Sequence, residues 1–251
     1  MKTVREIHEF LRGRAPEETA EEWDNVGLLI GDPERDVKVG VVCLDITPAA
    51  VREAEKLGAE LLVSHHPVIF RPLRALPSGG VPYELAVRRL SAICAHTNLD
   101  KATGGVNDTL AARLGLSDIR TASDELCRIG QLKPPMDASA FARHAARQLG
   151  TAVRFSESGR LVRRVAVCGG SGGDCLLQLA RQETAIDAMV TGECRHHEWL
   201  EAAERGIMML EAGHYATEVP VVDTLTSWLS GQFPEICWNS FWDQSPYRTV
   251  E

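Results

Sequence analysis

Eight histidine and carboxylate side chains of this sequence could bind metal ions. They occur in the motifs SHHP, HTNLD, RHHEW and GHYATE, and they are His65, His66, His96, Asp100, His196, His197, His214 and Glu218. Imidazole nitrogens and carboxylate oxygens are ligands that Zn²⁺, Mn²⁺ or Fe²⁺ accept, and no Cys-x-x-Cys pair competes with them here. The residue types therefore predict some metal site.

The spacing within the motifs determines which side chains can act together. His214 and Glu218 are four residues apart, so on a helix they share one face and can contact the same ion. A carboxylate between two cations about 3.5–4 Å apart commonly bridges them in hydrolytic sites. His65 and His66 are adjacent, so in extended backbone their rings point in opposite directions. Both can reach one cleft only if the turn at Pro67 twists the backbone.

The motifs follow predicted strands of an α/β sheet. Short apolar runs bounded by polar residues predict buried strands at 38–45, 59–63, 91–95, 186–190 and 207–210. A helix at 48–57, with Thr47 as its N-cap, a first-turn proline and Gly58 at its end, completes a strand–helix–strand unit. Another helix is predicted at 216–230. In open α/β sheets, ligands bind beyond the carboxyl ends of the strands, and the motifs follow those ends.

Each motif alone also has a purely structural interpretation. An adjacent pair of histidines need not be a pair of ligands, and Asn98 and Asp100 can cap a loop. Glu218 can be an ordinary surface residue, and the acidic residues beside Trp23 can form a loop or border a pocket. The position of three motifs at predicted strand ends favours the metal site.

Composition narrows the class of protein. Among 251 residues, 35 acidic and 27 basic side chains give a net charge of −8, which disfavours nucleic-acid binding without excluding a local basic patch. No run of about 18 apolar residues predicts a membrane span, and the N-terminus lacks the apolar core of a signal peptide. Seven scattered cysteines predict reduced, mostly buried thiols. The expected location is the cytoplasm.

Two parts of the chain predict similar folds. AELLVSHH at 59–66 and AIDAMVTGECRHH at 185–197 both place a strand before a pair of histidines. A change of texture at 116–135, with a Pro-Pro pair, is the best candidate for a domain boundary. We expect two similar α/β domains with mixed sheets flanked by helices. The expected domains are residues 1–125 with 213–251 and residues 126–212.

A glycine cluster, GGSGG at 169–173, follows a strand predicted at 162–168. Backbone N–H groups at the start of a helix can bind anions. The cluster lacks the spacing of both GxxxxGK[ST] and GxGxxG loops, however. A close turn into a helix at 173–182 is the favoured interpretation, and an anion site is the alternative.

Five motifs together resemble a known family. SHHPVIFRPL, AHTNLDKATGGVND, GGSGG, TGECRHHEW and GHYATE are similar, in this order and spacing, to the dinuclear-metal family named after the NGG1-interacting factor, Nif-three-like. Its bacterial members are often labelled GTP cyclohydrolase 1 type 2 homologues. The resemblance runs from WDNVGLLIG to GHYATE. It implies two α/β domains, a pair of divalent cations in the cleft between them, and a ring-like homo-hexamer.

The resemblance also implies the ligands of the two divalent cations, and these ligand types fit Zn²⁺, Mn²⁺ or Fe²⁺. His65 and His66 would each bind one cation. Asp100 would join His66 on the first, and His214 would join His65 on the second. Glu218 would bridge both.

The family label implies hydrolytic opening of the imidazole ring of GTP, with release of formate. His96, His197 and Glu193 would line the same cleft, and His96 or His197 would act as general acid or base. Basic residues that flank the motifs could meet the triphosphate or remain solvated, namely Arg71, Arg74, Lys101 and Arg195. Two alternatives stay open: a metal-dependent phosphoesterase, and a non-catalytic metal-handling or ring scaffold protein.

Overall fold

The computed structural model describes residues 2–182 and 186–247. Residues 248–251 of the first predicted domain, and residue 185 at the start of AIDAMV, lie outside the described residues. The strands are β1 Lys2–Thr3, β2 Gly27–Ile30, β3 Asp36–Val37, β4 Val39–Cys43, β5 Leu61–Ser64, β6 Ser91–Cys94, β7 Ser117–Thr121, β8 Arg128–Met136, β9 Arg154–Phe155, β10 Val162–Cys168, β11 Ala188–Thr191, β12 Met208–Glu211 and β13 Cys237–Phe241. The helices are α1 Val4–Arg14, α2 Pro48–Leu57, α3 Val81–Val87, α4 Thr97–Lys101, α5 Val106–Arg113, α6 Ala138–Leu149, α7 Cys175–Gln182, α8 His196–Arg205, α9 His214–Glu218 and α10 Val221–Gln232.

The chain divides into two compact units, each with its own sheet. The first contains the described residues up to Gly105 together with Val221–Gln244, and the second contains Val106–Pro220 with 245–247. The prediction of a mixed α/β fold with sheets flanked by helices is confirmed.

The boundaries between the compact units lie after residues 105 and 220. The sequence predicts them after residues 125 and 212. The difference arises because α5 packs against β8 and β10, and β7 pairs with β8. Both elements therefore belong to the second unit, although they precede the predicted boundary.

The first unit is built on a five-stranded sheet in the order β13-β4-β5-β6-β2. The first four strands are parallel, and β2 pairs antiparallel with β6. Every residue of β5 and β6 is buried, as in parallel strands that are covered on both faces. Helix α2 begins after the Thr47 cap and ends at Gly58, as the sequence predicts. The carboxyl ends of β4, β5 and β6 thus lie side by side.

The second unit has a six-stranded sheet in the order β7-β8-β10-β11-β12-β9. β10, β11 and β12 are parallel, while β8 and β9 pair antiparallel with β10 and β12. Helix α6 starts after the Asp137 cap and contributes the fully buried Phe141 to the hydrophobic core of the second unit.

The two sheets repeat one arrangement of strands. β4-α2-β5-α3-β6 and β10-α7-β11-α8-β12 each form three parallel strands, and an antiparallel strand lies beyond the third in both. The two similar sequence segments therefore correspond to the central strands β5 and β11. The motifs HTNLD and GHYATE occupy equivalent places after β6 and β12, where each contributes a five-residue helix.

Two local predictions differ from the structure. The Pro-Pro pair does not interrupt the chain, because β8 continues through Pro134 and Pro135 to Met136. The prolines lie where the pairing of β8 with β10 is irregular, so the ladder does not need the N–H groups that they lack. The helix predicted at 216–230 is two helices, α9 and α10, because Pro220 has no N–H to continue the first.

In the part of the chain that the structure describes, no helix is long and apolar enough to cross a membrane. All seven cysteines fall within this part, and none of them forms a disulfide. Four are buried, two are partly buried and Cys237 is exposed.

Candidate metal centre

His65 and His66 follow β5 at the carboxyl end of the first sheet. Their backbone N–H groups donate to the carbonyls of Cys43 and Leu44, so both residues run alongside the end of β4. The chain bends at this point, and the centroids of the two imidazole rings are only 4.9 Å apart. The twist that an adjacent pair needs in order to act together is therefore present.

His96 joins this pair from the end of β6. Its ring centroid lies 5.2 Å from that of His65 and 5.5 Å from that of His66. Each ring offers a nitrogen atom, and the three nitrogens lie within 4.8 Å of one another. We call His65, His66 and His96 the histidine cluster.

Each ring of the histidine cluster is held through its Nδ1 atom. The three acceptors are Ala95 O at 3.0 Å from His65, Asp45 Oδ1 at 2.7 Å from His66, and Asp24 Oδ1 at 2.8 Å from His96. Because carbonyl and carboxylate oxygens accept hydrogen bonds, Nδ1 carries a hydrogen, and Nε2 is the nitrogen that remains to bind an ion. Metal-binding histidines are commonly oriented in this way.

Asp24 is the carboxylate behind His96, and its side chain is fully buried. Burial raises the pKa of Asp24, but hydrogen bonds from His96 and Thr97 outweigh it and hold this pKa well below its usual range. The Thr97 backbone N–H donates to Asp24 Oδ2 at 3.0 Å. Asp24 is therefore an ionised carboxylate at neutral pH that orients His96. The sequence marked it only as part of an acidic cluster that could border a pocket.

Asp100 lies on α4 beside the histidine cluster. Its Oδ1 atom is 3.6 Å from His65 Nε2. Two donors bound about 2.0–2.1 Å from one tetrahedral Zn²⁺ are about 3.3 Å apart, so this pair fits a single cation. The family resemblance assigns Asp100 to the cation of His66, whereas the distance in this structure also suits the cation of His65.

His214 and Glu218 lie on α9 in the second unit. His214 Nε2 is 3.0 Å from Glu218 Oε2, which is close to the spacing of about 3.3 Å expected for two donors to one cation. Glu193 Oε1 lies 3.4 Å from His214 Nδ1. A hydrogen bond from Ser171 lowers the pKa of Glu193, and His214 adds to this effect.

The first glycines of GGSGG pack closely against α9. A Cβ atom at Gly170 would lie 2.2 Å from Glu218 Oε1, and the φ angle of Gly170 is +59°. Its backbone N–H donates to Thr217 Oγ1 at 3.1 Å. Gly170 therefore serves the close turn that the sequence analysis favours, because neither a side chain nor an ordinary backbone angle fits there.

His197 lies on the first turn of α8 in the second unit. Its side chain is 65% exposed, and its Nε2 atom is 3.8 Å from Glu198 Oε1. His196 is the first residue of the same helix. Among the described residues, the group of three histidines that could share an ion contains His96 and not this pair. A catalytic role for His197 stays a prediction.

Two exposed aromatic rings border His96. Trp23 is 58% exposed and Phe70 is 46% exposed, and their ring centroids are 5.7 Å apart. The centroid of His96 lies 6.1 Å from that of Trp23 and 6.2 Å from that of Phe70. We call Trp23 and Phe70 the aromatic pair. Nothing in the sequence singles out Phe70, which lies in the long loop after SHHP.

Residues 2–244 match the model of the Duf34/NIF3 (NGG1p interacting factor 3) family. This chain belongs to the DUF34/NIF3 family. A "GTP cyclohydrolase 1 type 2 homolog" of Streptomyces coelicolor is 35% identical over 88% of this chain and 83% of the relative. "NIF3-like protein 1" of Drosophila melanogaster is 30% identical over 98% of this chain and 88% of the relative.

Solved structures of DUF34/NIF3 relatives share the fold. A hypothetical protein of Staphylococcus aureus has a TM-score of 0.90 and 27% identity, with 99% of each chain covered. Reduced HcgD of Methanocaldococcus jannaschii has a TM-score of 0.80 and 28% identity, with 95% of this chain and 97% of that chain covered. A Bacillus cereus protein related to NIF3, at 21% identity, agrees in fold with a TM-score of 0.91 over 100% of this chain and 99% of that chain.

The donors within each unit fit divalent cations. In the first unit, three oriented imidazoles and the Asp100 carboxylate converge. In the second unit, His214 and Glu218 form a pair of donors on one helix face. Imidazole with carboxylate suits Zn²⁺, Mn²⁺ and Fe²⁺, so the residues are compatible with the cations that the resemblance implies.

Proposed function

We propose that this DUF34/NIF3 protein is a metal-dependent hydrolase of a nucleotide, and that it opens the imidazole ring of GTP with release of formate. The observation that supports catalysis best is the histidine cluster, in which an oxygen holds every Nδ1 and the three rings converge. The names of the bacterial relatives support the choice of reaction.

The proposed site holds two divalent cations with ligands from both units: His65, His66, Asp100, His214 and Glu218. The 3.6 Å between Asp100 and His65, and the 3.0 Å between His214 and Glu218, support these assignments. When bound, the cations supply Lewis acidity toward water and substrate oxygen atoms. The buried carbonyl partner of His65 and the Asp45 partner of His66 fix the rings before any ion arrives.

His96 is the proposed general acid or base of this site. Its Nδ1–H donates to Asp24, so Nε2 is the atom that takes a proton from water or returns one to the leaving nitrogen. The Asp24 carboxylate stabilises the imidazolium that forms when His96 gains this proton. His197 is the alternative acid or base.

The aromatic pair is proposed to contact the purine ring. An exposed aromatic ring beside a nucleotide site can stack on any nucleobase, because every base has a π face. Trp23 and Phe70 lie next to His96, so a base stacked there would bring its ring to the proton-transfer group. Arg71 and Arg74 are exposed in the same loop and are available to the phosphates.

Formate release from GTP tests the proposed reaction. Purified protein loaded with Mn²⁺ or Zn²⁺ should release formate from GTP, and Glu218→Ala should abolish this release. Glu204→Ala, which removes an exposed carboxylate from α8, should behave as the wild type. Formate release that is equal in the wild type and in Glu218→Ala would contradict the proposal.

Two other functions remain as alternatives. The same pair of cations would suit hydrolysis of a phosphoester, so activity against phosphomonoesters or diesters without formate release would favour a phosphoesterase. A metal-handling or scaffold protein would show tight cation binding without turnover of either substrate class. Cations whose coordination is completed by protein ligands alone would favour this second alternative.

We also propose that the protein acts in the cytoplasm as a homo-hexameric ring, as the family resemblance implies. Light scattering after size exclusion should then give about 165 kDa, the mass of six chains of 27.5 kDa. A monomeric mass at micromolar concentration would contradict the ring. This result would leave the metal centre untouched.

A further inference from the structure

Three cysteines meet in the second unit, at a different place from the histidine and carboxylate ligands. Cys127, Cys168 and Cys175 each offer a sulfur atom, and these sulfurs lie within 4.8 Å of one another. Sγ of Cys175 is 4.0 Å from Sγ of Cys168. Cys127 and Cys168 are buried, and Cys175 is partly exposed. We call these residues the cysteine cluster.

The sheet register explains why two of these cysteines meet. Val167 of β10 pairs with Arg128 of β8 in antiparallel register, so Cys168 lies opposite Cys127 one residue further along. Neighbouring side chains across such a pair have their Cβ atoms about 4.5–5.5 Å apart. The two cysteines are therefore adjacent even though 40 residues separate them.

The second half of GGSGG positions the third cysteine, Cys175, beside Cys168. A Cβ atom at Gly172 would lie 2.4 Å from Cys168 Cβ and 2.6 Å from its Sγ. The backbone of this turn thus passes directly over Cys168, and the Cys175 N–H donates to Gly172 O at 3.2 Å. Helix α7 then starts at Cys175, whose sulfur lies within 4.8 Å of the sulfurs of Cys127 and Cys168.

A carboxylate oxygen lies near the same cluster. Asp124 Oδ1 accepts hydrogen bonds from the backbone N–H groups of Leu126 at 3.0 Å and Cys127 at 2.9 Å. Its other oxygen, Oδ2, is buried and has no hydrogen-bond partner among the described residues. The hydrogen bond from the Cys127 N–H places Asp124 directly beside this cysteine.

We propose that Cys127, Cys168 and Cys175 bind one thiophilic d¹⁰ cation, Zn²⁺ or Cu⁺, with Asp124 as the fourth ligand for Zn²⁺. Tetrahedral Zn–S bonds of 2.3 Å hold sulfurs about 3.8 Å apart, close to the 4.0 Å between Cys168 and Cys175. Thiolates select soft ions over the hard ions that carboxylates bind. This site is independent of the proposed hydrolase activity.

Co²⁺ is a direct probe of the Zn²⁺ form, because sulfur–cobalt charge transfer absorbs in the near ultraviolet and nitrogen or oxygen ligands do not produce it. Reduced wild-type protein titrated with Co²⁺ should develop this absorption with one ion per chain, and Zn²⁺ should erase it. Cys175→Ser should lose the absorption, whereas Cys237→Ser, at an exposed cysteine, should keep it. Absence of the absorption in the wild type, together with no Cu⁺ retained against a chromophoric chelator, would overturn the proposal.

Alkylation of the unmutated protein gives a second test that does not depend on the folding of a variant. Zn²⁺ or Cu⁺ should slow iodoacetamide labelling of Cys175 at least tenfold and leave labelling of Cys237 unchanged. Labelling of Cys175 at the same rate with and without metal would overturn the proposal. A Cys168–Cys175 disulfide that forms in air and is not prevented by either metal would also overturn it.

Discussion

At the scale of single residues, the oxygen atom that accepts a hydrogen bond from each imidazole Nδ1 sets the orientation of the ring. Asp45 accepts a hydrogen bond from His66 Nδ1 and Asp24 accepts one from His96 Nδ1, so Nε2 is the nitrogen that remains for an ion or a proton. Removing such a partner loosens the ring and weakens its basicity, which commonly reduces metal affinity without removing a ligand. The two carboxylates should therefore matter although neither is a proposed ligand.

Asp45→Asn should weaken cation binding about 10- to 100-fold, because an amide can turn its NH₂ group toward His66 Nδ1 and disturb the ring. Calorimetric titration of the metal-free protein with Mn²⁺ or Zn²⁺ measures this change. Glu53→Gln on the neighbouring helix α2, where Glu53 contacts Lys56 at the surface, is the matched control and should bind as the wild type. Equal affinities for wild type and Asp45→Asn would contradict this role.

Trp23→Ala should raise KM for GTP at least about fivefold with kcat little changed, because stacking on an exposed ring contributes roughly 1–3 kcal/mol to binding of a base. Formate release at several GTP concentrations separates the two constants. Trp242→Ala removes another exposed tryptophan, 54% accessible, and serves as the control. A fall in kcat at constant KM would argue against stacking by Trp23.

The residues of the site differ in how far the sequence could reveal them. The histidines and Asp100 stand out because imidazole and carboxylate groups follow predicted strand ends. Asp24 and Asp45 do not, since their partners are 72 and 21 residues away and only the folded backbone brings them together. A carboxylate directly after β4, beside the strand that leads to His66, is the signal that points to Asp45.

At the scale of elements, the turn between β10 and α7 positions two different sets of side chains. Gly170 lies against Glu218, and Gly172 lies against Cys168. The same five residues thus shape the end of α9 and the cysteine cluster. A substitution in this turn should affect metal binding before it affects the core.

Gly170→Ala should lower the free energy of unfolding by about 1–2 kcal/mol, because a Cβ is disfavoured at a φ of +59°. It should also weaken cation binding, since the added carbon meets Glu218. Urea denaturation and metal titration measure the two effects.

Gly231→Ala is the matched control for that change. No atom lies within 4 Å of a Cβ at Gly231, which is in the last turn of α10. Alanine should raise stability there by about 0.5 kcal/mol through helix propensity, with cation binding unchanged. Equal destabilisation by both substitutions would show that the Gly170 turn has no special role.

The elements themselves were predictable where local signals agree. Helix α2 has a Thr47 cap, a first-turn proline and a terminal Gly58, and its bounds match the prediction. The course of β8 through Pro134 and Pro135 was not predictable, because a proline is tolerated only where the partner strand leaves a gap in the ladder. The cysteine cluster was missed for a similar reason, since only the register of β8 and β10 joins Cys127 to Cys168.

At the scale of the whole molecule, the proposed pair of cations requires ligands from both compact units. Asp100→Ala in the first unit and Glu218→Ala in the second should then show coupled losses of cation affinity, with a coupling free energy of about 0.5–3 kcal/mol. Calorimetric titration of the two single variants and the double variant measures this coupling. Asp100→Ala combined with Glu204→Ala should be additive. Additive losses for Asp100 and Glu218 would mean that they bind separate ions.

The edge of the first sheet is completed by β13, which pairs with β4 only after the chain has passed through the second unit. During synthesis, the ribosome releases β4 almost two hundred residues before its outer neighbour exists. Until then the backbone of β4 is an open template for pairing with other nascent polypeptides. Translation that stops early, near residue 220, should therefore yield aggregates rather than a smaller working protein.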